Sequence, residues 1–223
     1  MRIIAGRNKG RTLKAPKWDG LRPTSDKLRG TLFNILQHRI DGARVLDVFG
    51  GTGAVALEAL SRGAVSAACI ESHRRAAELI AANAALCGDA DRCAIIRDDA
   101  ARALAQPVSG GPFDLVFLDP PYDYDRLAGV VGDAGRQRAA GGLVVLEHAS
   151  RVPPPQPDGL SLTRTVISGL RCPYGLAIRD DTLFVAQSTS IARFSHLWGE
   201  GTPVPSGVVV DGLPDSGCGA HHF

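Results

Sequence analysis

No lysine occurs in this 223-residue chain after Lys27, its five cysteines form no CxxC pair, and no eighteen consecutive apolar residues are present. Each absence excludes a class. Cys69, Cys87, Cys93, Cys172 and Cys218 fit neither a disulfide framework nor a thiolate zinc site, so no metal is expected, and an odd set of thiols suits the cytoplasm. The start, MRIIAGRNKGRTLKAPKW, lacks the apolar core of a signal peptide, so neither secretion nor membrane insertion is expected. Aromatic residues are scarce at 5%, yet 44% of residues are apolar, which is enough for a core and rules out a disordered or fibrous chain. At this length the expectation is one full domain and a fraction of a second.

What is there begins with an uneven charge. Residues 1–40 hold ten Lys/Arg against two Asp, whereas the remainder is acidic overall, so one end of the chain suits a polyanion. Residues 1–20 alternate short apolar runs with basic residues and glycine, which predicts a basic β-hairpin with its turn near Asn8 and Gly10. From Thr24 the segment TSDKLRGTLFNILQH sets Leu28, Leu32, Phe33, Ile35 and Leu36 on one face behind a Thr/Ser/Asp cap, which predicts a helix. Residues 42–166 then alternate apolar strand-like runs with amphipathic segments, the signature of βαβ units and a parallel sheet covered on both faces. From residue 167 the helical period vanishes, and Gly, Pro, Ser and Thr crowd between the short runs YGLAIRD, TLFVAQ, SIARFS and GVVVDGL, which read as one β meander. The expected divisions are therefore a hairpin arm (1–20), an α/β domain (21–166) and a β-rich tail (167–223).

Two motifs carry chemistry. In VLDVFGGTGAVALEAL an apolar strand ends in Asp47, and Gly50, Gly51, Thr52 and Gly53 lead into a helix. Glycines at such a turn let a ligand approach the backbone at the carboxyl end of a parallel sheet. Asp47, ahead of the glycines, would repel a pyrophosphate and attract a cation such as the amino group and sulfonium of S-adenosylmethionine. Glu71, closing the next strand, is placed for ribose hydroxyls or is simply a solvated strand-end acid. Asp98 and Asp99 close the third, where one could hold an adenine amine or merely cap a helix. The second motif, LVFLDPPYDYD, runs a buried strand into Asp119, Pro120, Pro121 and Tyr122. Two prolines stop the strand and stiffen its exit, so a carboxylate, carbonyls and an aromatic face can converge on a planar amine. An exocyclic nucleobase nitrogen is a poor nucleophile until acceptors at its protons favour pyramidalisation, and Tyr122 would stack on the base.

Taken in order, RIIAGRNKGRTLKAP, LRPTSDKLRGTLFNIL, LDVFGGTGAVALEALSRGA and DPPY resemble the bacterial 16S ribosomal RNA guanine-N2 methyltransferases of the RsmD type, over residues 1–166. The resemblance implies an α/β, Rossmann-like class I methyltransferase fold, S-adenosylmethionine as donor, and transfer to N2 of one guanine in 16S rRNA or an assembling small subunit, by a monomer. It puts the donor loop on residues 47–53, with Asp47, Phe49, Gly51 and Gly53, the ribose acid on Glu71, the adenine contact on Asp99, and the catalytic tetrapeptide on Asp119, Pro120, Pro121 and Tyr122. Arg7, Lys9, Arg11, Lys14 and Arg22 fall where RNA would be held, Arg22 opening the RPT element with Pro23 and Thr24.

The chain departs from the family in three places. Gly50 stands where many relatives have alanine, which should be harmless, and Gly30 where a glutamate is common, at a cost to the helix on the order of half to one kcal/mol. After SLTRTV the chain runs into a tail similar to one blade of the sorbosone or glucose dehydrogenase-like β-propellers, and TLFVAQ is the best candidate to complete the sheet edge that the family's lost closing strand would leave open. Two other functions stay in view: methylation of DNA adenine or a protein glutamine, which shares the tetrapeptide, and a non-catalytic RNA-binding or chimeric product.

Overall fold

The computed structural model describes residues 1–16, 18, 26–121 and 123–147, with the backbone of four strands between residues 175 and 210. The chain divides into two compact units, Met1–Ser161 and Leu162–Phe223. In the first, β1 (Arg44–Asp47), β2 (Ser66–Ile70), β3 (Cys93–Ile96), β4 (Phe113–Leu118) and β5 (Arg138–Leu146) form one parallel sheet in the order β3-β2-β1-β4-β5. The helices are α1 (Asp26–Ile35), α2 (Ala54–Ser61), α3 (Arg74–Cys87), α4 (Ala100–Leu104) and α5 (Leu127–Arg136).

Strand residues alternate between two cores, which is why their sequences read as unbroken apolar runs. Val45, Ala67, Cys69, Cys93, Leu115 and Phe117 face the layer of α1, α2, α3 and the N-terminal hairpin. Leu46, Ala68, Ile70, Val116 and Leu118 face α4 and α5, meeting Leu104, Val130 and Ala134. Among the described residues no helix is long and apolar enough to cross a membrane.

The hairpin forms as expected, with Arg2 bridging Thr12 and the Ile3 amide donating to the Arg11 carbonyl at 3.0 Å. It is not a free arm. It lies on α2, which is consequently buried along all eight residues. Glu58, fully buried on that helix, accepts from the amides of Ile4 (2.8 Å) and Ala5 (3.0 Å) and from the Arg62 guanidinium (2.7 Å). Gly6 adopts φ +80°, and a Cβ there would overlap the Ser61 carbonyl, so the close approach of the turn to the end of α2 demands glycine. Arg29 of α1 is likewise fully buried, its guanidinium donating to the Arg2 carbonyl (2.6 Å) and to Asp26 (2.9 Å).

In the second unit β6 (Gly175–Arg179), β7 (Thr182–Ala186), β8 (Ile191–Ser195) and β9 (Val204–Val210) form an antiparallel meander in chain order. This corrects the expectation for TLFVAQ. Thr182–Ala186 lies between β6 and β8 inside its own sheet, because partners separated by a few residues close the smallest loops and pair at the lowest entropic cost.

Candidate active site

The carboxyl ends of β1, β2, β3 and β4 carry the predicted acids Asp47, Glu71, Asp99 and Asp119 on one side of the sheet, and the parallel register explains how. Asp47 pairs with Cys69 on one side and with Phe117 on the other. Glu71 therefore lies two residues beyond Asp47's neighbour on β2, and Asp119 two residues beyond its neighbour on β4. Asp47 is 1% exposed, and its Oδ1 has no hydrogen-bond partner among the described residues. Burial, and then the charges of Asp119 and Glu71, push its carboxyl up to about 7, against the pull of the Ala56 and Phe49 amides. Three acids, Asp47, Glu71 and Asp119, therefore end on the same side of the sheet, and the two outer charges disfavour ionisation of the buried one.

The glycine turn is held from below and from the side. The Gly50 amide donates to the Ile70 carbonyl (2.9 Å), and the Gly51 amide to Glu71 Oε2 (2.8 Å). The other Glu71 oxygen accepts from the His73 amide at 2.7 Å. Gly53 begins α2 at φ +77°, where a Cβ would stand 3.0 Å from Ile80, so both conformation and space call for glycine. At Gly50 a methyl group would stand 2.9 Å from Ile80 Cδ1 and 3.1 Å from Cys69 Cβ, so an alanine here requires those side chains to shift.

Beyond β3, Asp99 caps α4, its Oδ1 accepting from the amides of Ala101 (3.1 Å) and Arg102 (3.3 Å), while Oδ2 takes the Arg126 guanidinium at 2.7 Å. Asp98 pairs with Arg102, whose hydrogen bond holds the Asp98 carboxyl below its usual range. Arg126 also covers the Tyr124 ring at 5.6 Å, and Tyr124 meets Phe49 edge-on with centroids 5.1 Å apart. The segment after β4 is thereby clasped to the loops that follow β1 and β3. Burial, then the Asp99 charge, raise the Tyr124 phenol above its ordinary value. In the tetrapeptide Asp119 is partly exposed, Pro120 buried and Pro121 exposed, with the Pro121 carbonyl closing a turn onto the Tyr124 amide at 3.0 Å. Tyr122 and Arg22, with Pro23 and Thr24, lie outside the described residues.

The basic residues separate into two places. Arg7 pairs with the buried Asp89, and Arg11 donates to the Leu86 carbonyl in the last turn of α3, where a cation complements the helix dipole. Together with exposed Lys9 they lie at the carboxyl ends of α2 and α3, on the side of the sheet away from Asp47 and Asp119. Lys14 lies on the leg that returns beside the glycine turn, its amide bonded to Asn83 (2.8 Å). Sequence reasoning missed Glu58, Asn83, Tyr124 and Arg126. A lone glutamate in the otherwise apolar VALEALS was the one available signal for Glu58. A solvent-open hollow of about 260 Å³ lies at the amino ends of β1, β4 and β5, lined by Arg39, Asp41, Asp114 and Gly141, and touches none of this chemistry.

A parallel sheet in this order, with a glycine turn after the first strand, acids ending the first two and an Asp-Pro-Pro exit from the fourth, defines a class I methyltransferase of the Rossmann-like kind. The chain belongs to the RsmD family, described as Conserved hypothetical protein 95, whose model matches residues 1–172. It is 35% identical over 176 residues to "Putative rRNA methyltransferase YlbH" of Bacillus subtilis, a match covering 76% of this chain and 95% of that protein. It is 43% identical over 122 residues to "Ribosomal RNA small subunit methyltransferase D" of Escherichia coli K12, covering 55% of this chain and 60% of that one. Among solved structures, "Putative methyltransferase yhhF from Escherichia coli" superposes with a TM-score of 0.64 at 36% identity, covering 76% of this chain and 92% of the other.

Proposed function

We propose that this chain transfers a methyl group from S-adenosylmethionine to the exocyclic N2 of a guanine in 16S ribosomal RNA, acting in the cytoplasm as a monomer on the RNA or on an assembling small subunit. The observation that carries the reading is the buried Asp47, flanked by two further carboxylates at the strand ends that also carry the glycine turn and the Asp-Pro-Pro exit. The names of the relatives, which specify ribosomal RNA and its small subunit, supply the substrate class.

The residues fit the donor, because a buried carboxylate oxygen with no hydrogen-bond partner among the described residues suits a charged amino group. S-Adenosylmethionine supplies an electrophilic methyl group on a cationic sulfur. Asp47 would take its amino group, Glu71 its ribose hydroxyls, and the turn carrying Gly51 and Gly53 would admit it against the backbone. Phe49 would line the pocket, and Asp99, already carrying the helix cap and Arg126, would offer its remaining lone pairs to the adenine amine at the rim.

On the acceptor side, Asp119 and the carbonyls of the Pro120–Pro121 exit accept from the N2 protons, localising the nitrogen lone pair, while Tyr122 stacks on the guanine. Methylation releases a proton from N2, and Asp119 would receive it. The guanine must leave its stack to reach this corner. Lys9, Lys14 and Arg22 grip phosphates, and Arg7 and Arg11 add their charge to that field while fastening the hairpin.

The test is methylation of unmodified small-subunit particles and of naked rRNA by the full chain, with the product nucleoside identified by mass spectrometry. N2-Methylguanosine is expected, with Asp119→Ala slowed at least about a hundredfold while donor binding persists. A methyl group on another atom, or an undiminished rate in the variant, overturns the reading.

A further inference from the structure

Asn83 of α3 is fully buried and carries no charge, yet its amide bonds to both the basic hairpin and the glycine turn. Its Oδ1 accepts from the Lys14 amide at 2.8 Å, and its Nδ2 donates to the Lys14 carbonyl (3.1 Å) and to the Thr52 carbonyl (3.0 Å). Thr52 stands between Gly51 and Gly53. One planar amide therefore fixes the backbone of the hairpin's returning leg and the backbone of the turn in a single geometry, using both its donors and one acceptor lone pair. Two other contacts tie the same N-terminal segment to this end of the sheet, one to the turn and one to the start of α3. The Thr52 hydroxyl donates to Met1 Sδ at 3.4 Å, and Trp18, four residues beyond Lys14, stacks on His73 with centroids 5.9 Å apart and planes 22° apart. The His73 amide in turn holds Glu71, which holds the Gly51 amide.

We propose that Asn83 is a positioning residue that sets the glycine turn against the hairpin leg, so that donor binding at the turn and the order of the leg are coupled. The inference rests on the functional reading above, since it takes the turn to be the donor site and the hairpin to meet RNA. Any coupling is reciprocal by thermodynamic necessity. A guest that tightens residues 51–53 stiffens the leg through Thr52 and Asn83, and a polyanion that orders the leg favours the guest. The side chain touches neither reacting atoms nor guest, so its signature is a change in donor affinity and in KM for the donor, with kcat for bound substrates nearly unchanged.

The experiment uses the full chain, S-adenosylhomocysteine as probe, calorimetry for affinity and amide hydrogen exchange for the two segments. In the wild type, saturating probe is expected to protect peptides covering residues 51–53 and also those covering residues 13–16. Asn83→Ala is expected to weaken the probe about five- to twentyfold, the size of an ordinary coupling, and to confine protection to the turn. Protection of the turn with unchanged exchange in the wild-type leg overturns the inference and leaves the functional reading standing, and this arm decides the matter even if Asn83→Ala fails to fold. Equal affinity and equal leg protection in a folded Asn83→Ala likewise overturn it. No binding of the probe to the wild type overturns both.

Discussion

Asp47 ties donor affinity to pH in a direction that the structure sets. The carboxyl is buried beside Asp119 and Glu71 and titrates at about 7 in place of the usual 3.8. Between those values the folded chain holds a proton that the unfolded chain has released, so the ligand-free protein loses stability as pH rises from about 4 to about 7 and levels off above. A cationic guest needs the ionised form. With a midpoint near 7, the ionised fraction falls from roughly nine-tenths at pH 8 to roughly one-tenth at pH 6, and the Kd for S-adenosylhomocysteine should rise about tenfold over that interval. Asp47→Asn keeps the shape, removes the charge and abolishes the slope. It should bind about ten- to a hundredfold more weakly at pH 8, the worth of a charge-assisted hydrogen bond, while the ligand-free variant is more stable than the wild type at that pH. Calorimetry on the full chain from pH 6 to pH 8, with thermal melts alongside, measures both effects. A Kd that does not change with pH, or an Asp47→Asn variant with the same slope as the wild type, refutes the reasoning.

Glu58→Gln should destabilise the chain by about 3 kcal/mol in urea unfolding and loosen the hairpin to proteolysis, because an amide cannot satisfy Ile4, Ala5 and the buried Arg62 contact together. Gly50→Ala should cost about 1–2 kcal/mol of stability, and trimming the opposing side chain with Ile80→Val in the same chain should recover part of that loss, a coupling read in a double-mutant cycle. Gly30→Ala should instead stabilise by about 0.5–1 kcal/mol, since the added methyl would rest at 3.6 Å from Ile4 Cδ1 and helix propensity favours it.

The sheet was legible in the sequence because β1, β2 and β4 are buried on both faces and read as continuous apolar runs with their acids at the ends. The convergence of Asp47, Glu71 and Asp119 was legible for the same reason, since parallel strands deliver all their carboxyl ends to one side of the sheet. Asp99 carried two readings, and the bonds from Ala101 and Arg102 show it as a helix cap. Charge alone did not reveal how the hairpin is fastened, because the partners of Arg7 and Arg11 lie 82 and 75 residues away along the chain, a separation that no local pattern encodes. Asn83 and Glu58 were missed for a related reason, as both act on the hairpin backbone across more than fifty residues. The crowding at Gly50 depends on how Ile80 of α3 packs against the turn, which helix periodicity does not specify.

The most direct test of the account is a crystal structure of the full chain with S-adenosylhomocysteine. The ligand's amino nitrogen should lie about 2.7–3.2 Å from Asp47 Oδ1, with its sulfur in the same cleft as the Asp119 carboxylate. A complex in which Asp47 Oδ1 stays without a partner, or in which the ligand's sulfur and Asp119 occupy separate cavities, would contradict it.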